Sequence, residues 1–150
     1  MGMTWTEEQK KVIDVRNKNV LVSAAAGSGK TAVLVERILS IVCGDMEVEE
    51  PVDVDRLLVV TFTKAAAAEM RERVGLALER RLEAEPENEH LQKQQTLIHN
   101  AQITTIDSFC LKLLREHFNE LDIDPGFRIG DEGELLLLQA DVMKELLEDY

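Results

Sequence analysis

Aromatic side chains are scarce in this chain: four Phe, one Tyr and one Trp among 150 residues. With aromatics at 4% of a chain that is 45% hydrophobic, the core is expected to be built from Leu, Val, Ile and Ala. Only two cysteines are present, Cys43 and Cys110, far apart and without Cys-x-x-Cys spacing. That excludes a disulfide scaffold and a cysteine zinc site, and it points to free thiols in a reducing compartment. His90, His99 and His117 have no metal-ligand spacing to either cysteine. No apolar run reaches membrane length; the longest, Ala32–Val42, is broken by Glu36 and Arg37. Met1–Trp5 lacks the basic and then apolar regions of a signal peptide, so a cytoplasmic location with no membrane partner is expected. Positive charge is also in deficit, 17 Lys and Arg against 29 Asp and Glu, a net charge of −12. This argues against binding nucleic acid through bulk charge alone. Much of the acid falls in Glu47–Asp55 and Glu83–Glu89, which read as solvated segments and leave a local basic surface elsewhere open. There is no internal repeat or low-complexity linker, and the length suits one domain.

What the chain does have is Ala24-Ala25-Ala26-Gly27-Ser28-Gly29-Lys30-Thr31, between the apolar run Val20–Val22 and the apolar start of a helix at Ala32–Val35. Strand, glycine-rich turn, Gly-Lys-Thr and helix are the parts of a phosphate-binding P-loop in their working order. Glycines let backbone N–H groups turn inward around phosphate oxygens, and the helix N-terminus adds positive potential. In that reading Ala25–Thr31 cradle the phosphates, Lys30 reaches the β/γ-phosphates, and the Thr31 hydroxyl ligates Mg²⁺. Ala24 stands where the strict motif has Gly; the tight curvature falls later, at Gly27 and Gly29. The plainer alternative is a glycine-rich turn before a core helix.

Around this motif the pattern predicts alternating helices and strands. Thr6-Glu7-Glu8-Gln9 has capping-box spacing and starts a helix to about Val15, with Trp5 placed as a hydrophobic staple. Strands are expected at Lys18–Ser23, Arg56–Phe62 and Gln102–Ile106. Helices are expected at Lys30–Val42 with Gly44 as the stop, from Thr63 to Ala84, over Glu89–Ala101, from an Asp107 or Ser108 cap to Leu121, and over Glu132–Tyr150. Gly44–Asp55 reads as an acidic loop, Pro125-Gly126 as a turn and Phe127–Ile129 as a short extended piece. Alternation of this kind gives an α/β fold with a parallel sheet, ligands sitting at the carboxyl ends of the strands.

Two further motifs fall at such ends. Thr61-Phe62-Thr63-Lys64-Ala65-Ala66 offers hydroxyls, a lysine and free N–H groups at a helix start, with Phe62 as a face for stacking a base. Its alternative is a capped helix packed through its Ala face, with Phe62 in the core. Thr104-Thr105-Ile106-Asp107-Ser108-Phe109 has the same chemistry and the same alternative.

The order Thr6-x-x-Gln9, Ala-Gly-Ser-Gly-Lys-Thr, Val-Thr-Phe-Thr-Lys-Ala-Ala-x-x-Glu-Met-Arg-Glu-Arg and Thr-Thr-Ile-x-Ser-Phe closely resembles the first motifs of the UvrD/Rep-like superfamily 1 DNA helicases. Ile106–Cys110 and Asp122–Ile129 are most similar to the large subunit of AddAB-type helicase–nucleases. The resemblance implies a RecA-like ATP-binding domain over residues 1–130, with 131–150 a helix leading onward. It implies ATP and Mg²⁺ as cofactors and single- and double-stranded DNA as substrate. As partner it implies a second helicase/nuclease subunit, of the AddB type. By position it implies that Gln9 recognises adenine, that Lys30 and Thr31 serve phosphate and metal, and that Phe62, Thr63, Lys64, Thr104, Thr105 and Ser108 line a path for single-stranded DNA. Gln9 is equally the capping-box partner of Thr6. Two positions depart from the family: Ala32 stands where many relatives carry Arg on the adenine, and Asp107 where many carry His. A carboxylate repels phosphate, so Asp107 is assigned to helix capping.

Hydrolysis in this family also needs a Walker B Asp-Glu pair after a buried strand, and arginines from a second RecA-like domain. Asp131-Glu132 and Glu148-Asp149 do not fit, and the chain stops inside an apparent helix. The expectation is therefore an N-terminal piece of an ATP-dependent helicase of double-strand-break repair, binding nucleotide without turning it over. Another P-loop NTPase or kinase, or an autonomous nucleotide-binding module, are the rival readings.

Overall fold

The structure, a computed structural model, describes residues 4–25, 27–44 and 50–148. The expected placements of Ala26, of part of the acidic loop and of the last two residues lie outside these. The chain divides into two compact units, residues 1–109 and 110–150.

The first unit is helical around a small parallel sheet. Helix α1 (Glu7–Asp14) opens with the expected capping box: the Gln9 N–H donates to Thr6 Oγ1 at 3.2 Å, and the Thr6 N–H donates to Gln9 Oε1 at 2.9 Å. Helix α2 (Lys30–Cys43) ends at Gly44, whose N–H donates to the Ser40 carbonyl. A 3-10 turn at Val54–Arg56 leads into strand β1 (Leu58–Thr61). Helix α3 (Lys64–Ala84) is capped by Thr63, whose hydroxyl oxygen accepts from the Ala66 N–H at 3.1 Å. Helix α4 (Glu89–Leu97), capped by Asn88, tightens into a 3-10 turn at Ile98–Asn100 where one longer helix was expected. Strand β2 (Gln102–Thr105) pairs in parallel with β1, Leu58 beside Gln102 and Thr61 beside Thr105.

The core is aliphatic, as the composition implied. Val35, Ile38, Leu39 and Val42 of α2 pack with Met70, Val74 and Leu78 of α3, closed by Val54, Leu91, Ile98 and Ile103. Their recurrence at three and four residues along α2 and α3 is the helical stripe that burial requires. Gln94 is fully buried among them. Its Oε1 accepts from the Val54 N–H at 2.8 Å and its Nε2 donates to Asp53 Oδ1 at 2.6 Å, so burial leaves its amide satisfied. Arg71 of α3 donates to the Ala101 and Ile103 carbonyls at 3.2 and 2.9 Å, tying the helix to β2.

The expected strand at Lys18–Ser23 is not formed: among the described residues the sheet has two strands, β1 and β2. Val20, Leu21 and Val22 are exposed, Leu21 at 98%. An apolar, β-branched sequence becomes a strand only against a partner's ladder and a covered face, and neither is supplied here. Helix α5 (Ile106–Glu116) also begins differently from expectation. The buried Thr105 takes the capping position, its Oγ1 accepting the Ser108 N–H at 3.2 Å and donating to Ser108 Oγ at 2.9 Å. Asp107 lies inside the first turn, where its carboxylate still complements the helix N-terminus. The cap is thus neither Asp107 nor Ser108, because the last strand residue already presents a hydroxyl at the right offset.

In the second unit α5 stops at Glu116, short of Leu121, and the chain turns through Asp122 at a φ of 53°. Pro125-Gly126 makes the expected turn: the Phe127 N–H donates to the Asp124 carbonyl at 3.0 Å and the Gly126 N–H to Asp124 Oδ1 at 2.7 Å. Phe127–Ile129 forms no strand. Helix α6 (Glu132–Glu148) opens on a second capping box, the Glu134 N–H donating to Asp131 Oδ1 at 2.9 Å and the Asp131 N–H to Glu134 Oε2 at 3.1 Å. Asp131 is therefore a helix cap, in keeping with its rejection as a Walker B carboxylate.

Candidate nucleotide site and strand-end motifs

The residues just before α2 are strained or polar for a reason. Gly27 and Gly29 have φ of 79° and 78°, a left-handed backbone that side chains with a Cβ rarely adopt. The Ser28 N–H donates to the Ala25 carbonyl at 3.3 Å, closing the turn between them. Gly29 is the N-cap of α2 and has no side chain to cap it. The Val33 N–H donates to the Gly29 carbonyl at 3.0 Å, and the N–H groups of Lys30, Thr31 and Ala32, in the first turn, have no intrahelical acceptor. Open N–H groups at a helix N-terminus, behind a glycine turn, form an anion cradle. Ala25, Ser28, Lys30 and Thr31 are all exposed around it. Lys30 Nζ donates to the Ala24 and Ala25 carbonyls at 2.9 and 2.7 Å, so the ammonium is folded over the loop it would share with a phosphate. The Thr31 hydroxyl is exposed, and no protein group among the described residues bonds it. A hydroxyl oxygen beside a phosphate cradle is the hard oxygen donor that Mg²⁺ takes, so the residues present fit both groups.

Gln9 is half-buried beside this loop, and its Nε2 donates to the Ser28 carbonyl at 3.4 Å. It serves the capping box and the loop at once, through different atoms. A cleft of about 490 Å³ opens here, lined among others by Gln9, Val12, Ser28, Lys30, Leu34 and Arg37. Sequence reasoning missed Arg37. The signal that could have found it was its spacing: seven residues after Lys30 is two helical turns, which puts both on one face of α2. Ala32 lies off that cleft, lining instead a smaller one of about 230 Å³ with Trp5, Leu39, Arg73 and Arg80.

The second and third motifs meet at the carboxyl ends of β1 and β2. Parallel register places Thr61 beside Thr105, and the Thr61 hydroxyl donates to the Thr63 carbonyl at 3.0 Å and lies 3.5 Å from the Thr104 carbonyl. Phe62 is fully exposed, at 102% of its reference area, so its placement in the core is excluded. Thr63 and Lys64 are exposed beside it at the start of α3. Thr104 and Ser108 are half-buried and Thr105 is buried, with the Thr105 and Ser108 hydroxyls bonded to each other. The two motifs therefore share one edge of the sheet but differ in access: Phe62, Thr63 and Lys64 are open, whereas Thr105 and Ser108 are occupied in capping the first turn of α5.

Among the described residues no group of His, Cys, Asp and Glu is arranged to hold a metal ion, and no helix is long and apolar enough to cross a membrane. Among the described residues neither Cys43 nor Cys110 forms a disulfide.

Comparison with known proteins agrees with the motifs. The chain is 59% identical over 146 residues, 97% of its length, to the AddA subunit of the ATP-dependent helicase/nuclease of Lachnoclostridium phytofermentans, of which it covers 10%. It is 58% identical over 145 residues to the protein of the same name in Clostridium acetobutylicum, covering 97% of this chain and 11% of that one. A third protein of that name, from Thermoanaerobacter pseudethanolicus, is 58% identical over 149 residues, 99% of this chain and 12% of the relative. The chain thus spans about a tenth of the length of these relatives. Residues 5–150 match the family described as the UvrD/REP helicase N-terminal domain, and the chain belongs to that family.

Proposed function

We propose that this chain is the ATP-binding first segment of an ATP-dependent helicase/nuclease subunit of the AddA type, acting on DNA in double-strand-break repair in the cytoplasm. The observation that carries the proposal is the union of a family match over residues 5–150 with a glycine-turned, N–H-lined cradle at the start of α2. The relatives' shared name, which makes each of them one subunit of an ATP-dependent helicase/nuclease, supports the helicase/nuclease reading and a further subunit as partner, in our reading one of the AddB type.

In this reading residues 1–130 belong to a RecA-like domain and 131–150 lead into further sequence. Backbone N–H groups of Ala25–Thr31 receive the phosphates, and Lys30 leaves the Ala24 and Ala25 carbonyls for the β/γ-phosphate oxygens. Gln9 turns its amide toward adenine. The Thr31 hydroxyl would hold Mg²⁺, and the ion would supply positive charge beside the β/γ-phosphates. Phe62 stacks a base of single-stranded DNA and Lys64 approaches its backbone, with Thr63 beside them; Thr104, Thr105 and Ser108 shape the floor of that track. Among the described residues Asp131-Glu132 follows no strand, so hydrolysis and unwinding depend on residues other than this pair.

The test is Lys30→Ala in the protein that carries this domain. ATP-driven unwinding is expected to be lost while single-stranded DNA binding stays within about twofold, because Lys30 serves phosphate and lies outside the track. Retained ATP-dependent unwinding by Lys30→Ala would sink the assignment. Nucleotide binding without any DNA-stimulated ATP hydrolysis would favour a P-loop kinase or another NTPase.

A further inference from the structure

Helix α1 is short, eight residues, and its last carbonyls have no donors within the helix except the Val15 N–H, which bonds the Lys11 carbonyl. Two arginines reach the carbonyls of Val12 and Ile13. Arg37, on α2, crosses to α1 and donates through Nη1 to the Val12 carbonyl at 2.5 Å and toward the Ile13 carbonyl at 3.4 Å. Arg16, just past the end of α1, turns back to the Ile13 carbonyl at 2.5 Å and the Val15 carbonyl at 3.2 Å, and its Nη2 donates to Ser40 Oγ on α2 at 2.6 Å. Ile13 and Ser40 are buried, so the clasp sits at the packed end of the α1–α2 pair. Two guanidinium groups share this end. Burial pushes the Arg37 pKa down and the neighbouring Arg16 charge pushes it the same way. Like charges are held together there because the negative end of the α1 dipole and its open carbonyls compensate them.

The other end of α1 carries Gln9, against the Ser28 carbonyl of the loop. That contact is long, and the capping box fixes Gln9 only to its own helix. The arginine clasp is therefore the strong link that sets where α1 sits on α2. Arg37 follows Lys30 by two turns on the same helix, about 10 Å along its axis at 1.5 Å per residue. It also lines the same cleft as Gln9 and Lys30. We infer that Arg37 is a positioning residue for nucleotide recognition: by capping the C-terminus of α1 from within α2, it locks the Gln9 amide at a fixed offset from the phosphate cradle. This rests on the proposed ATP site and deepens it. Arg37 touches no phosphate in this scheme. It converts two separate contacts, base at Gln9 and phosphate at Lys30, into one rigid ruler, and it therefore acts on which base is accepted.

The experiment compares wild type, Arg37→Ala, Arg37→Lys, Gln9→Ala and the Gln9→Ala/Arg37→Ala double variant in the protein that carries this domain. Fluorescent ATP and GTP analogues and inorganic tripolyphosphate are the probes, titrated below each variant's melting temperature. Arg37→Ala is expected to weaken ATP by about tenfold, the worth of a base-recognition hydrogen bond, with tripolyphosphate affinity unchanged and the ATP/GTP preference reduced toward one. The double variant is expected to be no worse than Gln9→Ala, since both remove the same contact. Arg37→Lys keeps a charge at the carbonyls and should fall between; it also carries the test if Arg37→Ala does not fold. A lower melting temperature with an unchanged ATP/GTP preference in the folded variants, or strictly additive losses in the double variant, overturns the positioning role alone. If Lys30→Ala leaves ATP and tripolyphosphate affinity intact, the nucleotide site itself is misassigned and the inference falls with it.

Discussion

Truncation of Phe62 separates the two readings of the second motif in one measurement. A Phe in a packed core costs about 3–5 kcal/mol when cut to Ala, because the site loses transfer energy and gains a cavity. Phe62 buries nothing in this structure, so neither contribution applies, and Phe62→Ala should change folding stability by no more than about 0.5 kcal/mol. A ring that stacks a base contributes about 1–3 kcal/mol to single-stranded DNA binding, so the same variant should lose roughly 5- to 150-fold in affinity. The ring is already outside the core and flanked by the exposed Thr63 and Lys64, so little has to move before it can meet a base. The assay is fluorescence anisotropy with a labelled oligothymidylate at one fixed salt concentration, because phosphate contacts make affinity steeply salt-dependent. A urea melt of the same preparation reports stability, and an ATP titration should be unchanged. A loss of more than about 2 kcal/mol of stability with unaltered DNA affinity would refute the reasoning, since it would require Phe62 to be buried.

Gln94→Leu should destabilise the first unit by about 1–3 kcal/mol in a urea melt, because the Val54 N–H it satisfies is buried and would be left without an acceptor; a change under about 0.5 kcal/mol would show that another group takes its place. Gly29→Ala should cost about 1–2 kcal/mol through its φ of 78° and not through a clash, since the nearest atom to an added Cβ is Gln9 Nε2 at 3.8 Å; Gly29→Asn, which tolerates the left-handed region better, should lose less, and equal losses in the two would point to crowding. Asp53 accepts hydrogen bonds from Lys93 and Gln94, which hold its carboxyl below the ordinary value of 3.8. A depressed carboxylate stabilises the fold above its unfolded pKa, and that contribution disappears as pH falls through the lower folded value. Urea midpoints measured from about pH 5 down to about pH 2 should therefore fall more steeply in wild type than in Asp53→Asn, and parallel curves would contradict the assignment.

Much of the local structure was legible because it is decided by neighbours in sequence. The Thr6–Gln9 capping box, the Thr63 cap, the Gly44 stop and the Pro125-Gly126 turn each follow from side chains or backbone angles within three or four residues. The turn before α2 is of the same kind: glycines at 27 and 29 and a helix beginning at Lys30 shape it from contiguous residues. The aliphatic make-up of the core was likewise legible from composition. What sequence could not decide is everything that depends on a partner element. Val20–Val22 has strand composition, but pairing needs a ladder on a neighbouring chain segment, and none of the described residues provides it. Phe62 reads equally as core or surface until the packing of β1 and α3 leaves its ring outside. Thr105 became the cap of α5 because the end of β2 delivers its hydroxyl to Ser108, a geometry set by where the strand stops. Register alone put Thr61 beside Thr105 and so brought two motifs more than forty positions apart onto one edge. Arg37, placed by its sequence on the face of Lys30, found the open carbonyls of α1 only through the crossing of two helices, since a hydrogen bond between residues 25 positions apart is fixed by packing and not by spacing.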